Sequence, residues 1–114
     1  MKVFISADIE GTLLPPHGRL SAGGIEYERS RKEMTAEVVA AGRGGPGRPE
    51  PSVVVVKDAH GPGLNILPEE LPEYVQLIRS WSGSPEMMVE GLDSSFDAAF
   101  FVGYHNAAGE GATP

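Results

Sequence analysis

Three short apolar runs, each leading straight into a carboxylate or an imidazole, constrain this sequence more than any other feature. Residues 2–7 (KVFISA) run into Asp8 and Glu10, 52–57 (SVVVVK) into Asp58 and His60, and 98–104 (AAFFVGY) into His105. Each run is rich in β-branched or aromatic side chains and lacks polar alternation. That pattern fits strands buried on both faces, as at the centre of a parallel sheet. A weaker run, 74–79 (YVQLIR), is a fourth strand candidate.

Between the first two runs, residues 25–41 read as a helix. Ile25, Met34, Val38 and Ala41 fall toward one face, with Glu28, Arg31, Lys32 and Glu37 largely elsewhere. Glu28 and Lys32 are spaced for a favourable i,i+4 pair, and Gly42 is the expected stop. Residues 43–51 (RGGPGRPEP) hold too much Gly and Pro for a regular element and are expected to form a flexible surface loop. Residues 85–92 are expected to form a short second helix, with Pro85 suited to its first turn. The order strand, helix, strand, strand, short helix, strand predicts an α/β fold, a mostly parallel sheet flanked by helices with right-handed crossovers. Function in such sheets gathers at the carboxyl ends of the strands, where these acids and imidazoles lie.

Composition narrows the chemistry. A length of 114 residues predicts a single α/β domain over 1–114. The chain has no cysteine, which leaves His, Asp and Glu as candidate metal ligands. A net charge of -7 argues against a nucleic-acid partner, because phosphate binding needs a basic surface. No apolar run approaches the ~20 residues of a membrane span. The opening MKVFIS is too short and too soon polar for a signal peptide, so the expected location is the cytoplasm.

If the three strands are parallel neighbours, Asp8, Glu10, His60 and His105 converge on one rim of the sheet. Imidazoles with carboxylates suit zinc, and two ions roughly 3.5–4 Å apart could share Asp8 and activate one water. Each residue also has a plainer reading. A lone histidine at a strand end is more often a surface or hydrogen-bonded residue than a ligand, and Asp58 is equally a turn or capping residue. His17 sits in a Pro-Pro-His-Gly loop with no assigned role. Glu90 and Asp93 read as helix-terminus and capping residues, and Trp81 as a packed loop anchor or a pocket wall. It is the joint pattern that points to a metal.

Taken together, Asp8-Ile9-Glu10-Gly11, Tyr27-Glu28-Arg29, Met34-Thr35, Asp58-Ala59-His60, residues 88–93 (MVEGLD) and 101–105 (FVGYH) resemble, in order, the D-aminopeptidase family of zinc metallopeptidases. The similarity covers nearly the whole chain outside 43–51. It implies two zinc ions, with Asp8 bridging both, Glu10 and His105 on one, and His60 on the other. It also implies hydrolysis of short peptides with an N-terminal D-residue, such as D-Ala peptides, by ring-shaped homo-oligomers. Members of the family are more than twice as long. They carry a further glutamate ligand and a catalytic histidine downstream of His105, which no residue here matches. The chain is therefore expected to be the N-terminal part of a longer metallopeptidase, with impaired activity alone and its catalytic residue unknown.

Two rival readings stand beside this one. Residues 7–13 (ADIEGTL) also look like the opening motif of haloacid-dehalogenase-type, magnesium-dependent phosphatases, in which Asp8 would be the nucleophile. Against that, Glu10 is longer than the usual aspartate, and two strand-end histidines would have no task. The other rival is a non-catalytic metal-binding or assembly fragment.

Overall fold

A computed structural model describes residues 1–12, 24–44 and 46–106. Its frame is a four-stranded sheet in the order β3-β2-β1-β4, every pairing parallel. The strands are β1 (Lys2–Ala7), β2 (Val53–Asp58), β3 (Val75–Ile78) and β4 (Ala98–Val102), and one α-helix, α1 (Ile25–Arg43), joins β1 to β2. The α/β expectation holds. No helix among the described residues is long and apolar enough to cross a membrane.

Register puts the strand ends level. Ala7 of β1 pairs with both Asp58 of β2 and Val102 of β4, so the chain leaves all three strands at one rim. On one face, Val3, Ile5 and Ala7 of β1 join Val54 and Val56 of β2, packing with Tyr27, Met34 and Val38 of α1. Each buried valine, isoleucine or methionine side chain there contributes about 1.5–3 kcal/mol, and a one-residue slip of a strand would turn its share of them to the other face. The opposite face is covered by irregular chain. Phe4 meets Phe96 edge to face at 5.4 Å, and Lys57, fully buried, places its ammonium 4.3 Å from the Trp81 ring.

Four local expectations are corrected. Ile25 is 83% exposed, because nine residues at about 100° each set it half a turn from Met34. The helix runs past Gly42, which is buried against Val54, and ends at Gly44, whose φ of 78° lets its N–H reach the Ala40 carbonyl at 3.2 Å. Glu28 pairs with Arg31 at 3.2 Å rather than with Lys32. The second helix is only a single 3₁₀ turn, Met87–Val89, since Glu90 returns to ψ 127° and Gly91 takes φ 97°.

The last strand also departs from expectation. As a sheet edge, β4 leaves Phe100 and Phe101 44% and 58% exposed rather than buried. An apolar run without alternation does not distinguish a central strand from an edge. In the Gly/Pro stretch, residues 46–50 are exposed and Pro51 is buried. His17 lies outside the described residues.

Candidate metal centre

Backbone hydrogen bonds fasten the chain leaving β1 to its neighbours. Asp8 N–H donates to the Val102 carbonyl at 2.8 Å, Gly11 N–H to Gly103 at 2.7 Å, and Ala59 N–H to Ala7 at 2.8 Å. Thr12 closes the turn, its hydroxyl donating to the Ile9 carbonyl at 2.9 Å. Gly103, with φ 69°, turns the chain at the end of β4 toward this loop. The acids after β1 are thus held between the segments carrying His60 and His105.

All four candidate residues meet there. His60 Nδ1 lies 3.1 Å from Asp8 Oδ1 and 3.2 Å from Glu10 Oε2, and His105 Nε2 lies 3.6 Å from Asp8 Oδ2. Asp8, Glu10 and His105 each offer a ligand-type atom within 4.8 Å of the others. Two ligand atoms on one tetrahedral zinc sit about 3.3 Å apart, so the spacing suits a shared cation. The two oxygens of Asp8 face different histidines, the arrangement a bridging carboxylate requires. Glu10 Oε2 is buried and makes no hydrogen bond, its ion-pair contact being His60 Nδ1 at 3.2 Å, so a cation would complete its set of partners.

Protonation follows from this crowding. Burial pushes the Asp8 carboxyl up, but hydrogen bonds with His60, with Glu10 and from the Ile9 N–H outweigh it and hold the group below its ordinary value. Glu10 moves the other way: burial and its hydrogen bond with Asp8 raise it, making it the later of the two to ionise. The hydrogen bond with Asp8 raises His60 against the opposing effect of burial. His105 is raised by its bond to the Asn106 carbonyl and by the nearby carboxylates. That bond, 2.7 Å from Nδ1, makes Nδ1 the donor and leaves Nε2 directed at Asp8.

Beneath His60 lies a polar hub that the sequence did not reveal. Asn65 is fully buried, and its side-chain amide donates to the His60 carbonyl at 2.6 Å and to Asp58 Oδ1 at 2.8 Å. The Tyr27 hydroxyl donates to Asn65 Oδ1 at 2.5 Å, and the Arg31 Nε–H to the Asn65 carbonyl at 2.8 Å. Asp58 also accepts from the backbone N–H groups of Asn65 and Ile66, at 2.7 and 2.8 Å. Asp58 is a loop staple. No local motif marks Asn65, because its partners come from α1 and the β2 end.

The remaining candidates are structural. Trp81 anchors its loop, donating from Nε1 to the Gly61 carbonyl at 2.7 Å. Asp93 caps a turn by accepting the Ser95 N–H at 2.8 Å, and Glu90 accepts the Ser82 hydroxyl.

Comparison with known proteins identifies the family. The family model described as D-aminopeptidase matches residues 1–114. The chain belongs to the D-aminopeptidase family. A D-aminopeptidase of Bacillus subtilis (strain 168) is 39% identical over 113 residues, covering 95% of this chain and 39% of that protein. The solved structure of the Zn-dependent D-aminopeptidase DppA from Bacillus subtilis, a self-compartmentalizing protease, superposes with a TM-score of 0.77 at 37% identity. That match covers 96% of this chain and 39% of that one. The chain therefore spans well under half the length of the D-aminopeptidases it matches. Within this family member, the phosphatase reading finds no support in the geometry, since both Asp8 oxygens face histidine nitrogens.

Proposed function

We propose that Asp8, Glu10, His60 and His105 are zinc ligands of a hydrolase that removes N-terminal D-amino acids from short peptides, D-Ala peptides among them. The observation carrying this is the meeting of two acids and two imidazoles from three strand ends, with Asp8 presenting one oxygen to each histidine. Asp8 would bridge two ions, Glu10 and His105 would hold one, and His60 the other. Zinc, when bound, polarises a scissile carbonyl and lowers the pKa of water to about 7.

The protein's own residues supply the rest. Asp8 and Glu10 provide the negative charge that offsets two cations, and the Asn106 carbonyl fixes which nitrogen of His105 is offered. Asn65 holds the His60 loop in place. Assembly into homo-oligomers belongs to the same proposal, supported by the self-compartmentalizing DppA structure.

The test pairs zinc calorimetry with hydrolysis of D-Ala-D-Ala and L-Ala-L-Ala by the purified protein. Uptake approaching two zinc per chain, with cleavage confined to the D-peptide, is the expected result. Magnesium-dependent phosphate release, or zinc uptake unaffected by Asp8→Asn, would overturn the reading.

A further inference from the structure

The loop from Trp81 to Glu90 forms an open pocket of about 330 Å³, lined by none of the residues of the Asp8–His105 cluster. Trp81, Pro85 and Met87 supply apolar walls, and Ser82, Ser84 and Glu90 supply polar side chains. Its size falls at the small end of the about 300–1,000 Å³ typical of ligand pockets.

The loop is hydrogen-bonded directly to the segment bearing His60 and, through Ser6 of β1, to the residue before His105. At one end, Trp81 Nε1–H donates to the carbonyl of Gly61, the residue after His60, at 2.7 Å. Ser80 N–H donates to Gly63 at 2.9 Å, and Gly63 N–H to the His60 carbonyl at 2.8 Å. At the other end, the Met88 carbonyl accepts the Ser6 hydroxyl at 2.5 Å, and Ser6 Oγ also meets the hydroxyl of Tyr104, the residue before His105, at 2.5 Å. The pocket's loop is thus tied to the chain that follows β2 and, by way of Ser6, to Tyr104 beside His105.

Its backbone is unusual as well. Ser80 and Met87 hold φ of 63° and 46°, the positive-φ residues other than glycine among those described. Such conformations cluster at ligand-binding sites. Met87 is 60% exposed, an apolar side chain held open at the pocket.

We infer that this pocket is a specificity subsite that receives an apolar side chain of the bound peptide. The side chain packs on the Trp81 ring and under Met87, while the Glu90 carboxylate, fixed by the Ser82 hydroxyl, repels acidic side chains. The inference rests on the peptidase reading above and adds which peptides that site prefers.

Trp81 is the sole tryptophan of the chain, so its emission reports pocket occupancy directly. The zinc-loaded and zinc-free proteins are titrated with D-Leu-D-Leu and with D-Glu-D-Glu. The expected result is a saturable emission change with D-Leu-D-Leu alone, at least tenfold weaker in both Met87→Glu and Met87→Gly. The glycine variant relieves the positive φ and so keeps the fold. Glu90→Gln is expected to admit D-Glu-D-Glu within tenfold of D-Leu-D-Leu. Emission insensitive to D-Leu-D-Leu in the folded protein, or both Met87 variants binding like the parent, would overturn the subsite.

Zinc calorimetry run alongside separates the two readings. Zinc uptake without a Trp81 response overturns the subsite and leaves the metal centre standing. A Trp81 response without zinc uptake does the reverse.

Discussion

Gly11 and Gly103 close on each other backbone to backbone. The Gly11 N–H donates to the Gly103 carbonyl at 2.7 Å, and a β-carbon on Gly11 would lie 2.8 Å from the Gly103 carbonyl carbon. This contact presses the segment bearing Asp8 and Glu10 against the one bearing His105. Gly11→Ala forces them apart, at an expected cost of about 1–3 kcal/mol. Zinc affinity should fall at least tenfold as His105 moves away. Urea unfolding and zinc calorimetry on the one variant read both effects, and parental values in both would show the contact to be slack.

Zinc should stabilise the fold. At a hundredfold excess over its dissociation constant the gain is about 2.7 kcal/mol, or roughly 10 °C in Tm for a domain of this size. A chelator should reverse it. Asp8→Asn removes the charge between the two histidines and should abolish most of the shift. A full zinc-dependent shift in that variant would exclude Asp8 as the bridge.

Asp58 carries a structural load rather than a metal. Its carboxylate accepts the N–H groups of Asn65 and Ile66 and the Asn65 side-chain amide. Asp58→Ala leaves three buried donors unmatched, an expected loss of about 3 kcal/mol or more. Asp58→Asn, which keeps one acceptor oxygen, should lose clearly less. Equal unfolding midpoints for the parent and the alanine variant would contradict this account.

Tyr27 should shape the alkaline limit of stability. Burial raises its hydroxyl above the ordinary value of 10.0, Asp58 and Glu28 add to the rise, and together they outweigh Arg31. The folded state therefore holds this proton more tightly than the unfolded chain. Its stabilising contribution is complete below pH 10 and is lost as pH climbs through the raised value. Tyr27→Phe should cost about 1 kcal/mol at neutral pH, because Asn65 Oδ1 loses its donor. Its stability should then decline less steeply above pH 10 than the parent's in denaturant titrations across pH. Parallel curves would rule out Tyr27 as the titrating group.

The sheet and its metal-type rim were legible in the sequence because they are local. β-branched runs announce strands, and Asp8, Glu10, His60 and His105 follow those strands within a few residues. What escaped depends on packing between distant segments. Asn65 is a hub through its contacts with Tyr27, Arg31 and Asp58, none of which its neighbours in sequence foreshadow. Lys57 closes an otherwise apolar run, and it is buried with its ammonium over Trp81 and donating to the Ser80 carbonyl. Ile25 is apolar yet exposed, because helical phase and not side-chain character decides which face it occupies.

One consequence concerns how the protein behaves in a test tube. The outer side of β4 has no strand beside it among the described residues, and Phe100 and Phe101 stand next to that open ladder. Exposed edges of this kind recruit further strands, their own copies included, and natural proteins blunt them with charge. Concentrated samples should therefore drift toward sticky, strand-linked clusters, and a lysine introduced at position 101 is the mildest remedy.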